Sequence, residues 1–238
     1  MIEITNVKTL NWDAAIRGMR NPLNSWDKSD SEWREIIIDG HFDGVEFILG
    51  PNDLALAKKL ANAGSDHRKF MRQIFVSMDI NAPLYWWKEF DTYKVGTTAN
   101  SCSTMHTIHK KEFTLDDFSH DGLTKIYETA AINGYIIGCD PILPIGMLRT
   151  MIAELNFLRD KYLETKDKRF WYAIIQLLPT SYNQMRTVTL NYENLINMYH
   201  ARKNHKLDEW HTLCDVIRGL PYSELITGGD TECSTPQT

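Results

Sequence analysis

Residues 97 to 106, TTANSCSTMH, set hydroxyl, amide, thiol and imidazole groups side by side, with only Ala99 and Met105 apolar among them. Such a run can do chemistry if a serine or cysteine has a base beside it. It can equally close a turn, its hydroxyls satisfying backbone groups. Cys102 has no base at a defined spacing, and a lone cysteine reads more simply as a small buried apolar group. Ser103 is the better candidate for a substrate contact. Just upstream, PLYWWKEF carries Trp86 and Trp87. Their rings could stack on a planar ligand, although core or subunit interface is the commoner use of aromatics after a strand. Lys94, Arg186 and Arg202 are the cations best suited to an anion, against the alternative of solvated or ion-paired surface groups. His200, His205, His211 and Cys214 crowd the C-terminal part. Only His211 and Cys214 share a helical offset, so no metal site is expected.

These residues need a scaffold, and the pattern around them is mixed. EWREIIIDGHFDGVEFILG (32–50) alternates apolar residues around Gly40 and Gly44 and predicts strand, turn, strand. PNDLALAKKLANAG predicts a helix with Pro51 at its start and Gly64 just past its end. Ile74, Val76, Met78 and Ile80 alternate as in a half-buried strand ended by Pro83. Leu148, Met151, Ile152, Leu155, Leu158 and Tyr162 recur at helical spacing. FWYAIIQLLP (170–179) is too continuously apolar to distinguish helix from buried strand. KKEFTLDDFSHDG (110–122) reads as a solvated connector with a helix start near Thr114 or Asp116. VTLNYENLINMYHARKNHKLDEWHTLCDVIRGLP (188–221) reads as one long helix, bent near His205. Strands come early and long helices late, an α+β arrangement of one domain over residues 1–226, with 227–238 a disordered tail.

The chain has 238 residues, 43% hydrophobic and 24% charged, with a net charge of −5. That balance disfavours a general nucleic-acid binder, which carries a broad basic face. No apolar run is long enough to cross a bilayer, and the N-terminus lacks the order of a signal peptide. The four cysteines form no CxxC pair. A cytoplasmic protein of bacterial or phage origin, bound neither to nucleic acid nor to membrane, is expected.

Two segments together resemble the flavin-dependent thymidylate synthase family. Its central region runs H-x-S-P-x-E-H, a strand to a proline, R-Q, R-H-R, then S-x-N-E-x-S-x-R-Y. Here His67 stands at the first histidine, Pro83 at the matching distance, NAPLYWWKEF follows the family's segment in character, and TANSCSTMH aligns with the nucleotide-binding motif. Downstream, the family's L-P turn and N-x-R-x-L helix match Leu178, Pro179, Asn191 and Leu195, with Arg202 beyond. The resemblance covers roughly residues 45 to 215. It implies a thymidylate-synthase-complementing-protein-like α+β fold with a central antiparallel or mixed sheet, a homotetramer, and use of FAD to methylate dUMP. It places His67, Arg72, Gln73, Lys94 and Asn191 on the cofactor side. Lys88, Glu89, Asn100, Ser103, Arg186 and Arg202 fall on the substrate side, with Ser103 as the catalytic candidate.

The departures concern the charges. Gln73 replaces the last histidine of the first motif, Arg72 its acid and Lys69 its serine. Lys88-Glu89 stands for R-Q, and Thr92-Tyr93-Lys94 for R-H-R. Ser101 and Met105 replace the glutamate and arginine of the nucleotide motif. Glu193 occupies the flavin-side arginine position, Arg186 lies one residue past an arginine position held by Met185, and Glu209 is what survives of A-Q-x-E. FAD and dUMP both carry phosphate, so the lost cations matter. Three functions follow: a divergent synthase acting on dUMP or a related pyrimidine nucleotide, a nucleotide-binding sensor or sequestering protein without turnover, and a partner-binding oligomer.

Overall fold

The computed structural model describes residues 2–132 and 144–229. In chain order the elements are β1 (Glu3–Leu10), α1 (Trp12–Arg20), β2 (Glu32–Ile38), β3 (His41–Ile48), α2 (Pro51–Asn62), β4 (Phe75–Pro83), α3 (Leu84–Phe90), β5 (Thr98–Ser101), α4 (Thr104–Thr107), α5 (Asp121–Ile132), α6 (Pro144–Thr165), α7 (Lys168–Leu177), β6 (Asn183–Asn191), α8 (Tyr192–Arg202), α9 (Asp208–Arg218) and α10 (Glu224–Thr227). Four strands form one sheet in the order β1-β4-β6-β5, and β2 pairs with β3 in a separate antiparallel hairpin. The chain is therefore α+β.

Local signals account for much of this. The hairpin turns at Asp39 and Gly40, both at positive φ (51° and 78°), as a two-residue turn between right-twisted strands requires. Pro51 opens α2, and the chain leaves it before Gly64. Val76, Met78 and Ile80 are fully buried along one face of β4, as is Ile74 just ahead of it. Residues 168–177 form a helix whose N-cap, Asp167, accepts from the Arg169 amide at 2.9 Å. The connector 110–122 holds a short 3-10 turn at Leu115–Asp117, closed by a reciprocal Thr114/Asp117 capping box.

The long C-terminal helix expected over 188–221 is corrected. Residues up to Asn191 belong to β6, where Val188 and Leu190 are buried in alternation. Asn191 then caps α8. Its side chain accepts from the Asn194 amide at 3.0 Å, and the Asn194 side chain accepts from the Asn191 amide at 3.2 Å. A second interruption, at Lys203–Leu207, separates α8 from α9. The apolar pattern runs on through strand, cap and two helices, which is why it imitates one long element. Helix α1 carries a helical period in Trp12, Ala15, Ile16 and Met19, all buried, which the sequence reading passed over. Thr227, the expected start of a tail, is buried at the end of α10, and residues 230–238 lie outside the described residues.

The chain divides into two compact units. The first contains Ile80–Thr92 and Asn100–Arg186 with the first three residues. Its core gathers Ile108, Phe113, Phe118, Leu148, Leu155, Leu158 and Ile174. Asn156 ties α6 to the connector through Phe113, donating to its carbonyl at 2.9 Å and accepting from its amide at 2.8 Å. The second unit contains Ile4–Asp79, Tyr93–Ala99 and the chain from Thr187 onward. Its core includes Ile16, Met71, Ile74, Tyr192, Leu195, Trp210 and Ile217. Within it, the buried Asp53 carboxylate accepts from Arg20 at 2.5 Å, Ser29 at 2.7 Å and Ser31 at 2.6 Å, pinning residues 20–31 against α2. A charge so buried persists only because it is paired and hydrogen-bonded on several sides.

Candidate functional site

In the first unit, the polar groups collect around Arg186. Gln184 and Arg186 lie two apart on β6 and share a face, so the Arg186 Nε donates to Gln184 Oε1 at 3.0 Å. Its Nη1 donates to Asp91 at 2.7 Å, and its guanidinium lies 4.1 Å from the centre of the Trp87 ring. The side chain is only 15% exposed, so the cation–π contact is partly desolvated and correspondingly strong. Trp87 in turn donates to the Gln184 carbonyl at 2.9 Å. Gln184 Nε2 reaches the Cys102 carbonyl at 2.9 Å and the Thr104 hydroxyl at 3.1 Å. Ser103 sits between those two contacts.

Ser103 itself caps α4, its hydroxyl accepting from the His106 amide at 3.2 Å. Asn100 is exposed on β5, and Lys88 is exposed and Glu89 half-buried on α3. Trp86 and Trp87 are both buried and stack edge-on to each other and to core neighbours, with Phe90 completing the cluster. They are core residues. Cys102 is exposed, contrary to the buried thiol expected from its isolation in sequence. Met185 is exposed on the opposite side of β6 from Gln184 and Arg186, so the one-residue offset seen in the sequence is a change of face.

In the second unit, the decisive contact is at the start of α8. Glu193 accepts from the Arg68 Nε at 3.3 Å and from the Arg72 Nη2 at 3.2 Å, with a further close contact to the Arg72 Nε. Hydrogen bonding to Arg72 holds the Glu193 carboxyl below the ordinary glutamate range, and the same bond pushes the Arg72 guanidinium up. Two guanidinium groups share one carboxylate, and Asp66 acts on Arg72 as a second negative charge. With Lys69, which lines the same cavity as Asp66, three cations stand against two carboxylates on this patch.

The loop ahead of β5 docks on the same helix start. Asn194 Nδ2 donates to the Val95 carbonyl at 2.7 Å. Gly96, at φ +73°, lies so close that a Cβ there would stand 2.8 Å from Asn191 Nδ2. At the other end of the loop, the Tyr93 hydroxyl accepts from Arg202 Nε at 2.9 Å, and the Arg202 guanidinium lies 4.5 Å from the Trp210 ring centre. Lys94, exposed, is thus carried between two anchors. His67 and Gln73 line a cavity of about 410 Å³ with Met19, Leu23, Leu60, Lys69 and Phe70. Gly18 also borders it and admits the Gln73 side chain, since a Cβ there would lie 2.9 Å from Gln73 Oε1.

Among the described residues no three or more histidine, cysteine or acidic groups converge as metal ligands would. Cys214 is buried, and burial pushes its thiol up to about 11, away from thiolate. His211 lies 3.7 Å from Asp208 instead. Among the described residues no helix is long and apolar enough to cross a membrane. Cys139 and Cys233 lie outside them.

No protein-family model matches the chain, and no curated protein does. Solved structures do. The flavin-dependent thymidylate synthase ThyX from Helicobacter pylori, in complex with FAD and dUMP, matches 96% of this chain and 98% of its own at a TM-score of 0.62 and 16% identity. A second crystal structure of Helicobacter pylori ThyX with FAD and dUMP matches 97% and 98%, with a TM-score of 0.63 at the same identity. This chain shares its overall fold with these structures. At that identity the likeness speaks for the fold alone.

The fold relationship brings the sequence resemblance into focus at one pair of residues. The position that the resemblance assigns to an acid holds Arg72, and the position it assigns to an arginine holds Glu193. These two meet directly, each with the charge opposite to the one the resemblance assigns to its position. Arg68 adds a second cation, and the glutamate that seemed to oppose an anionic ligand is outweighed locally. All five cofactor-side candidates fall in the second unit, with Arg72, Lys94 and Asn191 gathered around the start of α8 and His67 and Gln73 lining the cavity. Five of the six substrate-side candidates fall in the first unit. Arg202 lies in the second, with Tyr93 and Trp210.

Sequence reasoning missed Gln184, Asp91 and Asn194, and it placed Tyr93 only as a lost cation of a motif, not as the partner of Arg202. Asn194 was findable, because its spacing from Asn191 is that of a capping box. Gln184 stands two before Arg186 and would share its face on any strand. Asp91 had no signal.

Proposed function

We propose that this chain is a divergent flavin-dependent thymidylate synthase-like protein that methylates dUMP or a related pyrimidine nucleotide. The observation that carries the reading is the cluster of Arg68, Lys69 and Arg72, three cations against the two carboxylates of Glu193 and Asp66. A phosphate-bearing cofactor needs such an excess. The neighbouring cavity supplies apolar walls from Met19, Leu23, Leu60 and Phe70, which suit a planar ring system. FAD fits this donor set: Arg72 and Lys94 would meet its phosphates, with His67, Gln73 and Asn191 offering neutral contacts. When bound, it would supply the redox chemistry, a nicotinamide reducing it and methylenetetrahydrofolate supplying the carbon. On the substrate side, Trp87 and Gln184 hold Arg186 in one orientation, and Lys88 adds an exposed cation. Glu89 offers a carboxylate acceptor, which suits a base bearing an amino group. A homotetramer is part of this reading.

A second reading, nucleotide binding without turnover, draws on two other contacts. The Ser103 hydroxyl accepts from the His106 amide, and the Arg186 charge is already met by Asp91. The visible absorption spectrum of the purified protein, repeated after adding FAD and removing the excess, separates the two. A retained flavin band bleached by NADPH supports the synthase. Absence of flavin, with a raised melting temperature in dUMP or dCMP, supports the sensor, since a ligand that binds only the folded form raises its stability. Activity on dUMP but not on dCMP would count against Glu89 as a reader of an amino group.

A further inference from the structure

The hairpin of β2 and β3 stands in the second unit as a sheet of two strands only. Its register sets Trp33 opposite Phe47, Glu35 opposite Val45 and Ile37 opposite Phe42. A slip in register between Ile36 and Ile37, at Gly44, brings Phe42 onto the same face as Val45 although they are three positions apart, an odd spacing. One face therefore reads Trp33, Ile37, Phe42, Val45 and Phe47, with Glu35 as its single charge. Trp33 is 58% exposed, Ile37 62%, Phe42 68% and Val45 55%. The Trp33 and Phe47 rings contact each other edge-on at 5.3 Å, and otherwise the face is largely uncovered.

Two observations say that this is not a stable end state. A two-stranded hairpin without cover is marginal in water. The uncovered apolar surface is also on the order of 500 Å², toward the upper end of the largest apolar patch a monomer carries, and such patches are often functional. We propose that the occupant is the same face of a second copy of this chain, packed sheet on sheet. Two such faces together hide about 1,000 Å², the area at which a specific interface begins. The pattern also selects how they meet. A two-fold axis along the strands lays β2 of one copy over β3 of the other, putting Trp33 over Phe47, Ile37 over Phe42 and Glu35 over Val45 of the second copy. An axis across the strands would set Glu35 on Glu35, a like-charge contact. In a sheet this narrow both strands are edges, so the Glu35 carboxylate reaches water from its place. This contact is independent of the proposed reaction.

The test is the mass of the full chain in solution, by light scattering and sedimentation over a wide range of concentration. The double variant Phe42→Asp/Val45→Asp is expected to halve the mass of the wild-type assembly. Ile38→Asp, on the opposite face of the hairpin and also exposed, is expected to leave it unchanged. Glu35→Val removes the one charge from the face and should tighten the association by roughly tenfold. This gain cannot come from a folding defect. Equal masses for wild type and Phe42→Asp/Val45→Asp, or equal loss with Ile38→Asp, overturn the proposal. So does a wild-type chain that stays monomeric and pellets with lipid vesicles through this face.

Discussion

The two units hold their arginines in opposite ways. Around Arg186 one guanidinium meets one carboxylate, Asp91, and is secured from above by the Trp87 ring. Around Glu193 two guanidinium groups meet one carboxylate, and both lie on the short segment just before β4. The first arrangement is electrically closed and mechanically firm, because a buried ring fixes the cation. The second is open, and once Lys69 and Asp66 are counted with it, one cation is left over. An anion is drawn to surplus charge rather than to the number of arginines in a segment. By that measure the residues proposed for a cofactor are better provided with charge than the sequence suggests, and those proposed for a substrate are better ordered than charged.

The sharpest way to break this comparison is to remove the ring. Trp87→Ala is expected to destabilise the protein by about 3–5 kcal/mol, as truncations of large buried aromatics do, measured by urea unfolding. If it costs no more than loss of Asp91, the Trp87 platform is not what secures Arg186. Next comes the loop that docks on α8. Gly96→Ala places a Cβ at a left-handed φ and against the Asn191 amide, and should cost about 1–2 kcal/mol from the backbone alone. The same unfolding curve checks it, and an unchanged midpoint would mean that the loop is free to move away from Asn191.

Glu193→Gln removes the shared carboxylate. Because Arg72 is half exposed, solvent screening limits the expected loss to about 1 kcal/mol. The pH dependence sharpens this, since the Glu193 carboxyl is held below its ordinary value by Arg72. Its contribution is present above the unfolded value, near 4.5, and is lost as the pH falls through the lowered folded value. The stability difference between wild type and Glu193→Gln should therefore be full at neutral pH and shrink below about pH 4.5. A difference independent of pH down to acid unfolding would show that Glu193 acts through packing. The smallest effect belongs to Asp91→Asn, at most about 0.5 kcal/mol, because its carboxylate is half exposed. A larger loss in a thermal melt would mean that the Asp91 ion pair, and not the ring, holds Arg186.

How far the sequence could be read depended on the range of the interaction. The β2–β3 hairpin, α2 and β4 were legible because Asp39-Gly40, Pro51 and the alternation from Ile74 to Ile80 each act within a few residues. The C-terminal half misled for the same reason. Apolar spacing continued across Asn191 and across the break at Lys203–Leu207, and only the hydrogen bonds of the cap mark where strand becomes helix. The candidate residues were legible as a set, through the resemblance of their motifs. Their states were not: Trp86 and Trp87 turned out to be core, Ser103 a helix cap, Cys102 an exposed thiol.

By itself, then, the sequence determined the α+β class, most of the elements and the resemblance of the motifs, since these follow from local periodicity, turn chemistry and order along the chain. Tertiary structure alone decided that Glu193 is met by Arg68 and Arg72 across more than a hundred residues, and that Arg186 rests on Trp87. A charge's effect depends on what stands within a few ångströms of it, and only folding sets those distances.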